Sequence, residues 1–364
     1  MILRHIKTFY KPKLPIMYMV ELQKRIKNLK HYFLNIILIW LAVLFYRTTH
    51  YYKDFLRQDT QTTILYLAVG YTILGFFYYL YIHPDKTRES KGIIIFKAIK
   101  RFLKESYIYL RTFSRKTKSP LPRIEKHEKT ALLFIIVKIF FLPIMLNFFF
   151  SNYHSVKSQL PNLTNIFSLF TINSFNSILF PFLLALIFLI DTLWFSFGYT
   201  FEAGILKNRI RSVEPTIFGW IVALICYPPF NGMFTKYTNW YANDYIILSN
   251  ITLTFALRIG IILLLSIYVW ASLALGTKCS NLTNRGIVSK GPYSVIRHPA
   301  YISKNLAWWL TIIPVASLVA VLSMATWSII YHLRSITEER HLSKDPDYQE
   351  YKNKVKYRYI PGVY

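Results

Sequence analysis

Long hydrophobic runs separated by short polar, mostly basic segments set the pattern of this chain. A helix needs about 20 apolar residues to cross a hydrocarbon core. The runs predict crossings at residues 32–46, 62–82, 131–150, 175–200, 216–227, 246–275, 299–313 and 317–340. The first is short for a crossing, the fifth stops at Pro228-Pro229, and the sixth is long enough to tilt. The last two form a hairpin that turns at Pro314. The predicted fold is therefore all-α, a polytopic integral membrane protein with about eight transmembrane helices, a C-terminal helical hairpin and a cytoplasmic tail.

Residues 83–130 break this pattern with fourteen Lys or Arg and five acids. Between Ile93 and Leu110, apolar residues recur at near-helical spacing among lysines, which predicts an amphipathic helix lying on the membrane surface or a solvated linker helix. Three regions follow: a basic region with two spans and this amphipathic segment (1–130), a four-span region with a possible acceptor site (131–275), and a polar-ended hairpin region (276–364). No small-residue cleavage site follows the first apolar run, so the N-terminal run reads as an uncleaved span.

Composition sharpens the reading. Of 364 residues, 54% are hydrophobic and 18% aromatic, and the mean hydropathy is +0.30, too apolar for a soluble chain of this length. The net charge of +27 would suit nucleic acid. Its lysines and arginines sit between the apolar runs, however, which points to anionic membrane lipids and away from nucleic acid. With the N-terminus inside, one set of alternate loops holds 36 of the 44 basic residues and the other holds 5. Both termini are thus expected in the cytoplasm. A bacterial inner membrane is expected rather than an organelle membrane. Cys226 and Cys279 show no ligand spacing, so neither a disulfide framework nor a metal site is expected. The sequons at Asn162, Asn250 and Asn281 read as chance, and no oligomeric state is specified.

Charges inside the bilayer are costly and ask for partners. Lys138 and Asp191 lie at matching depths from the inner ends of their spans, which predicts a pair; Arg258 is the alternative partner for Asp191.

The chemistry is concentrated at the two ends of the hairpin. Gly291-Pro292 signals a turn, and His298-Pro299 opens a helix with Pro299 at the first position, where a missing N–H costs nothing. Free N–H groups at that helix start favour an anion, and Arg297 adds a two-pronged donor for the same kind of group. Tyr293 and Tyr301 supply ring faces and hydroxyls. About forty residues later Glu338 and Glu339 bring carboxylates; neighbours on a helix point about 100° apart, so one should face the pocket and the other could pair with Arg334. Donors on one side and carboxylates on the other suit a zwitterionic, amino-acid-like cofactor, of which S-adenosylmethionine is one.

The run Gly-Pro-Tyr-x3-Arg-His-Pro-x-Tyr at 291–301, the hairpin and Glu338-Glu339 together resemble the isoprenylcysteine carboxyl methyltransferase and phospholipid methyltransferase superfamily. The tail from Asp345 to Tyr351, then Val355 to Pro361, is similar to that family's closing segment. The resemblance covers residues 276–364. It implies that Tyr293, Arg297, His298, Pro299, Tyr301, Glu338 and Glu339 line an S-adenosylmethionine site, with His298 and Glu339 catalytic. The activity implied is methyl transfer to a lipid or lipidated acceptor at the cytoplasmic leaflet: a prenylated cysteine carboxylate, a phospholipid amine or another lipid. Family members usually carry glycine where this chain has Ser303, a side chain that could reshape the pocket. The closing residues 356–364 are also similar to the ending of NADPH-dependent sterol reductases, and a non-enzymatic transporter or scaffold is a third reading. Residues 210–215 look more deliberate than an ordinary loop.

Overall fold

The structure is a computed structural model that describes residues 16–82, 89–114, 120–163, 171–245 and 247–363. Parts of the basic N-terminal arm and of the 83–130 insert lie outside those residues. The chain is mostly helical and divides into two compact units, residues 1–53 with 62–132, and residues 54–61 with 133–364.

The smaller unit holds α1 (Ile16–Thr48), most of α2 (His50–Phe55), α3 (Gln58–Tyr81) and α4 (Lys91–Ser114). Polar side chains tie α1 to α3 where helices without water must satisfy them internally: Tyr32 Oη donates to Thr72 O (2.6 Å) and Trp40 Nε1 to Thr72 Oγ1 (3.1 Å). His31, fully buried, accepts from Ser90 N just before α4 (3.2 Å). The expected amphipathic helix is α4. Phe96, Ile99, Leu103, Tyr107 and Leu110 form an exposed stripe along it, while Arg101 bonds Glu105 and Glu128 on another side.

The larger unit contains most of α5 (Lys126–Gln159), then α6 (Ile172–Ser174), which continues through a wide turn into α7 (Phe180–Thr200). After these come α8 (Ile217–Leu224), α9 (Phe230–Thr238), α10 (Ile251–Leu275), α11 (Pro299–Ile312), α12 (Leu318–Leu342) and α13 (Pro346–Lys354). Phe180, Leu184, Ile187, Ile261, Leu265 and Ala307 pack α7, α10 and α11 into one core. Gly198 allows the end of α7 to touch the backbone carbonyl of Cys279 so closely that no Cβ could fit.

Among the described residues six helices are long and apolar enough to cross a membrane, so this is an integral membrane protein. They are Arg25–Thr48, Gln58–Tyr81, Lys126–Leu163, Ile172–Thr200, Ile251–Lys278 and Leu318–Leu342. The other two expected spans are shorter than a full crossing. The expected span at 216–227 contains only the eight residues of α8, which starts after its cap at Thr216 and ends with three residues left before the Pro228-Pro229 pair. Pro215 precedes the cap. The expected span at 299–313 is α11, with fourteen residues. α11 runs against α12, with Trp309 Nε1 donating to Ser328 Oγ (3.0 Å) and Ser328 Oγ donating to Asn305 Oδ1 (3.0 Å).

The charges within spans are partnered differently from the expectation. Lys138 donates to Thr200 O (3.0 Å), not to Asp191. Asp191 accepts from Tyr268 Oη (2.7 Å) and Ser272 Oγ (2.5 Å), both on α10. Arg258 reaches the carbonyls of Asn176 and Tyr245 and lies over the Phe180 ring. Equal depth along two helices says nothing about which way each side chain points, and that rotation decided the pairing.

Candidate functional site

A cavity of about 160 Å³ opens among α10, α11, α12 and the loop 278–288. The loop is held in place by a short antiparallel pair, β1 (Ser212–Val213) with β2 (Thr283–Asn284). This accounts for residues 210–215: Arg211 N and Glu214 N donate to Asn284 O and Leu282 O (both 2.8 Å), and Glu214 binds the N-terminus of α8. The 210–215 strip is the rail on which the cavity loop rests.

The start of α11 forms one wall. Gly291 adopts φ +61°, a left-handed turn in which a side chain would be strained, and its position lies against Trp270 and Ala274. A single 3₁₀ turn, Gly291–Ser294, then delivers Tyr293 to the cavity. Burial pushes the Tyr293 phenol well above its usual value. Pro299 is the first residue of α11, as expected, but is not itself part of the lining.

Arg297, His298 and Glu339 meet in a buried cluster. Glu339 is 3% exposed and accepts from Arg297 Nε (2.9 Å), His298 Nε2 (3.1 Å), Arg358 Nε (3.0 Å) and Arg358 Nη2 (2.9 Å). Arg297 Nη1 also donates to Val355 O (2.9 Å). The backbone N–H groups of Arg297 and His298 donate to Tyr357 O and Arg358 O, each at 3.0 Å. The guanidinium expected to meet a cofactor carboxylate thus uses Nε for Glu339 of α12 and Nη1 for the carbonyls of the C-terminal tail, which it fastens across the start of α11. Arg297 and His298 line the cavity; Glu339 lies behind them.

Glu338, one residue earlier, is exposed and lines the cavity, where it accepts from Tyr301 Oη (2.7 Å). The Tyr301 ring stacks on His298 with centroids 5.3 Å apart and planes 11° apart. One glutamate faces the pocket and its neighbour does not, as the helical 100° step requires. Arg334 pairs with neither. It donates to Asn281 Oδ1 and lies over the rings of Tyr301, Tyr227 and Tyr331.

Ser303 is buried, and its hydroxyl donates to Pro299 O within α11 (2.7 Å). It is not a lining residue, so the departure from the family's glycine leaves the cavity's shape alone. Tyr348 and Tyr351 pack with Val355, and both also line the cavity. Asn281, whose sequon reads as chance, has a structural role. It is buried, donates from N to Tyr199 Oη (2.6 Å) and from Nδ2 to Tyr227 Oη (3.2 Å), and holds Arg334. No spacing rule could have singled it out, because its partners come from α7, α12 and the turn after α8. Cys226 and Cys279 are free thiols, and burial pushes Cys279 well up.

The lining suits an amino-acid-like cation. Tyr293, Tyr301 and Tyr351 offer ring faces that attract a sulfonium, Glu338 offers a carboxylate for an ammonium, and Lys278 with the N-terminus of α11 offers positive charge for a carboxylate. Among known proteins, residues 250–345 match the family model of the phospholipid methyltransferases, within the superfamily that the 291–301 and 338–339 motifs resemble. No curated protein and no solved structure matches the chain.

Proposed function

We propose that this protein transfers a methyl group from S-adenosylmethionine to a lipophilic acceptor at the cytoplasmic face of its membrane. The observation that carries the reading is the coincidence of two independent facts. The stretch that matches a methyltransferase family, residues 250–345, also supplies most of the lining of the cavity, and its aromatic and charged groups fit the cofactor's three charges. Phe195, Tyr227, Tyr268 and Ser272 add walls from the 131–275 region, which supports an acceptor site reached from the bilayer.

S-adenosylmethionine would supply an electrophilic methyl carbon: the acceptor's lone pair forms the new bond, and the carbon–sulfur electrons return to sulfur, leaving a thioether. The protein's work is then mostly positioning and exclusion of water. Tyr293, Tyr301 and Tyr351 hold the cationic centre, and Glu338, fixed by Tyr301, orients the amine end. An amine acceptor must lose a proton, and His298 or Glu338 is placed on the cavity wall to take it; a carboxylate acceptor needs no base. Glu339, saturated by two arginines and a histidine, is assigned a positioning role in place of a catalytic one.

We further propose eight crossings with both termini cytoplasmic. The start of α7 adjoins that of α10 through Asn176 Nδ2 and Ile251 O (3.3 Å), and the segment after α7 adjoins the end of α10 through Asn208 Nδ2 and Thr277 O (3.2 Å). Parallel α7 and α10 require the chain between them to return across the bundle, which supports α8 and α9 as a broken crossing. The basic segments and the apolar stripe of α4 support contact with anionic lipid.

The test is calorimetric titration of the purified protein in detergent with S-adenosylmethionine and, separately, NADPH. Saturable binding of the first, weakened in His298→Ala, is expected, followed by labelled-methyl transfer into a lipid extract. Binding of NADPH alone would favour the reductase reading, and binding of neither a transporter or scaffold.

A further inference from the structure

α13 forms the wall of the cavity next to the end of α12, and its two ends are held in different ways. Its Tyr348 and Tyr351 line the cavity and pack with Ile287 of the cavity loop and Tyr293 of the 3₁₀ turn. At the C-terminal end Arg297 Nη1 donates to Val355 O (2.9 Å), and Arg297 is itself held by Glu339 in a buried ion pair. At the N-terminal end the holding groups face water. Arg211 Nη1 donates to Asp345 Oδ2 (2.9 Å) and to Asp347 Oδ2 (2.5 Å), and the Arg211 and Asp347 side chains are 47% and 58% exposed. Asn284 Nδ2 adds one bond to Asp345 Oδ2 (2.7 Å).

Exposed ion pairs contribute little and are screened by salt, whereas a buried pair is costly to break. A wall held firmly at one end and weakly at the other can swing. The turn that must give, Ser343–Asp345, contains a long bond from Lys344 N to His341 O (3.4 Å). Arg211 belongs to the 210–215 strip, and its N–H donates to Asn284 O, so one strip carries both the cavity loop and the hold on α13. Gly286 makes room for that arginine. At φ +94°, a Cβ there would come within 3.3 Å of Arg211 Nη2 and 3.2 Å of Lys278 Nζ. Tyr348 sits at the weakly held end. It is 3% exposed, and its hydroxyl has no hydrogen-bond partner among the described residues. Leaving a buried hydroxyl unmatched is costly, and a polar ligand beneath α13 would supply the partner.

We propose that α13 is a lid on the cavity, hinged near Val355, and that Arg211 is its latch. Arg211 is then a positioning residue: it sets how fast the cofactor enters and leaves without touching it. The closed lid brings the Tyr348 hydroxyl to the occupant. Naming the occupant S-adenosylmethionine rests on the methyltransferase reading; the lid and its latch do not. A closed lid keeps water from an electrophilic methyl group, and it must open once per turnover to exchange the spent thioether for fresh cofactor. The Arg297–Glu339 cluster stays fastened when the latch opens, so the groups on the opposite wall keep their places.

The experiment uses full-length protein in a neutral maltoside detergent, with association and dissociation of labelled S-adenosylmethionine followed by rapid filtration. In Arg211→Gln both rates should rise together, by about two- to tenfold, as the loss of exposed ion pairs allows. Kd should move by less than about twofold, because the lid is mostly closed with and without ligand. Arg211→Lys, which keeps the charge, should lie between. In the unmodified protein about 0.5 M NaCl should reproduce the rise, and in Arg211→Gln it should add little. A second readout needs no cofactor. The thiol introduced by Ile287→Cys, under α13, should react with a charged methanethiosulfonate faster by the same factor when Arg211→Gln is added or salt is raised. Faster dissociation alone, with a weaker Kd, would make Arg211 a structural support and overturn the latch. Labelling at 287 that ignores both Arg211 and salt would overturn the lid. If the unmodified protein binds no S-adenosylmethionine while labelling still accelerates, the methyltransferase reading falls and the lid stands.

Discussion

Replacing Glu339 with glutamine should unfasten the C-terminal tail. The carboxylate is buried and accepts four hydrogen bonds from Arg297, His298 and Arg358, with lengths from 2.9 to 3.1 Å. Glutamine keeps the shape, but it removes the charge and turns an NH₂ group toward donors. Removing one partner of a buried ion pair costs about 3–5 kcal/mol, because the remaining cations are stranded. At about 1.4 kcal/mol per factor of ten, that loss corresponds to opening roughly 100- to 3,000-fold more often. The reporters are the N–H groups of Arg297 and His298, whose acceptors are the tail carbonyls of Tyr357 and Arg358. Hydrogen exchange at those two amides should accelerate by that factor in Glu339→Gln. In Glu338→Gln, which removes the neighbouring carboxylate from the cavity wall, the same amides should exchange as before while cofactor affinity falls. An acceleration below about tenfold in Glu339→Gln would refute the assignment of Glu339 as the fastening of the tail.

Other substitutions test separate parts of the site. Ser303→Gly removes a hydroxyl bonded only within its own helix and should cost about 1 kcal/mol of stability through glycine's backbone freedom, with S-adenosylmethionine affinity unchanged within about twofold by calorimetry. Asp191→Leu leaves Tyr268 Oη without its acceptor and should lower stability by about 1–3 kcal/mol, read by thermal denaturation; no change would mean the Asp191–Tyr268 contact is dispensable. Gly198→Ala must push α7 away from the Cys279 carbonyl, so a lower thermal midpoint is expected, and an unchanged one would contradict the close approach. Burial raises Asp345, but the hydrogen bonds from Asn284 (2.7 Å) and Arg211 (2.9 Å) outweigh it and hold the carboxyl below its usual range. A depressed carboxylate stabilises fully above the unfolded value near about 4, and that contribution fades as pH falls through the folded value. Amides of α13 should therefore lose protection below about pH 4, and Asp345→Asn should abolish that dependence.

What could be read from the sequence was whatever is local to a helix or tied to its ends. Hydrophobic runs located the six long helices, and the periodicity around Ile93–Leu110 located α4. The helix step of 100° also told correctly that Glu338 and Glu339 would part company. What could not be read was azimuth and loop contact. Lys138 and Asp191 share a depth but point at different neighbours, and Arg334 finds Asn281 across a loop whose course depends on β1 and β2. The run 216–227 reads as one continuous helix by hydropathy, which counts residues and not the Thr cap and the two prolines that bound a helix of only eight residues there.

The same distinction bears on α11, where a short helix carries two kinds of information in one turn and a half. Its first residues are fixed from outside, by the tail carbonyls and Glu339, so Arg297 and His298 are set before any ligand arrives. Ser303 turns inward to its own backbone, and the departure from the family's glycine is absorbed there. Lys304 is the next residue, 100° further round, and that rotation carries it out of the packed face and into the cavity. A substitution at 303 therefore tests only the helix, while one at 304 tests the ligand. If Lys304→Gln and Ser303→Gly proved equally harmful to labelled-methyl transfer, the division of α11 into a packed and a cavity-facing side would be wrong. If only Lys304→Gln matters, the chemistry that selects the acceptor lies beside the motif and not within it.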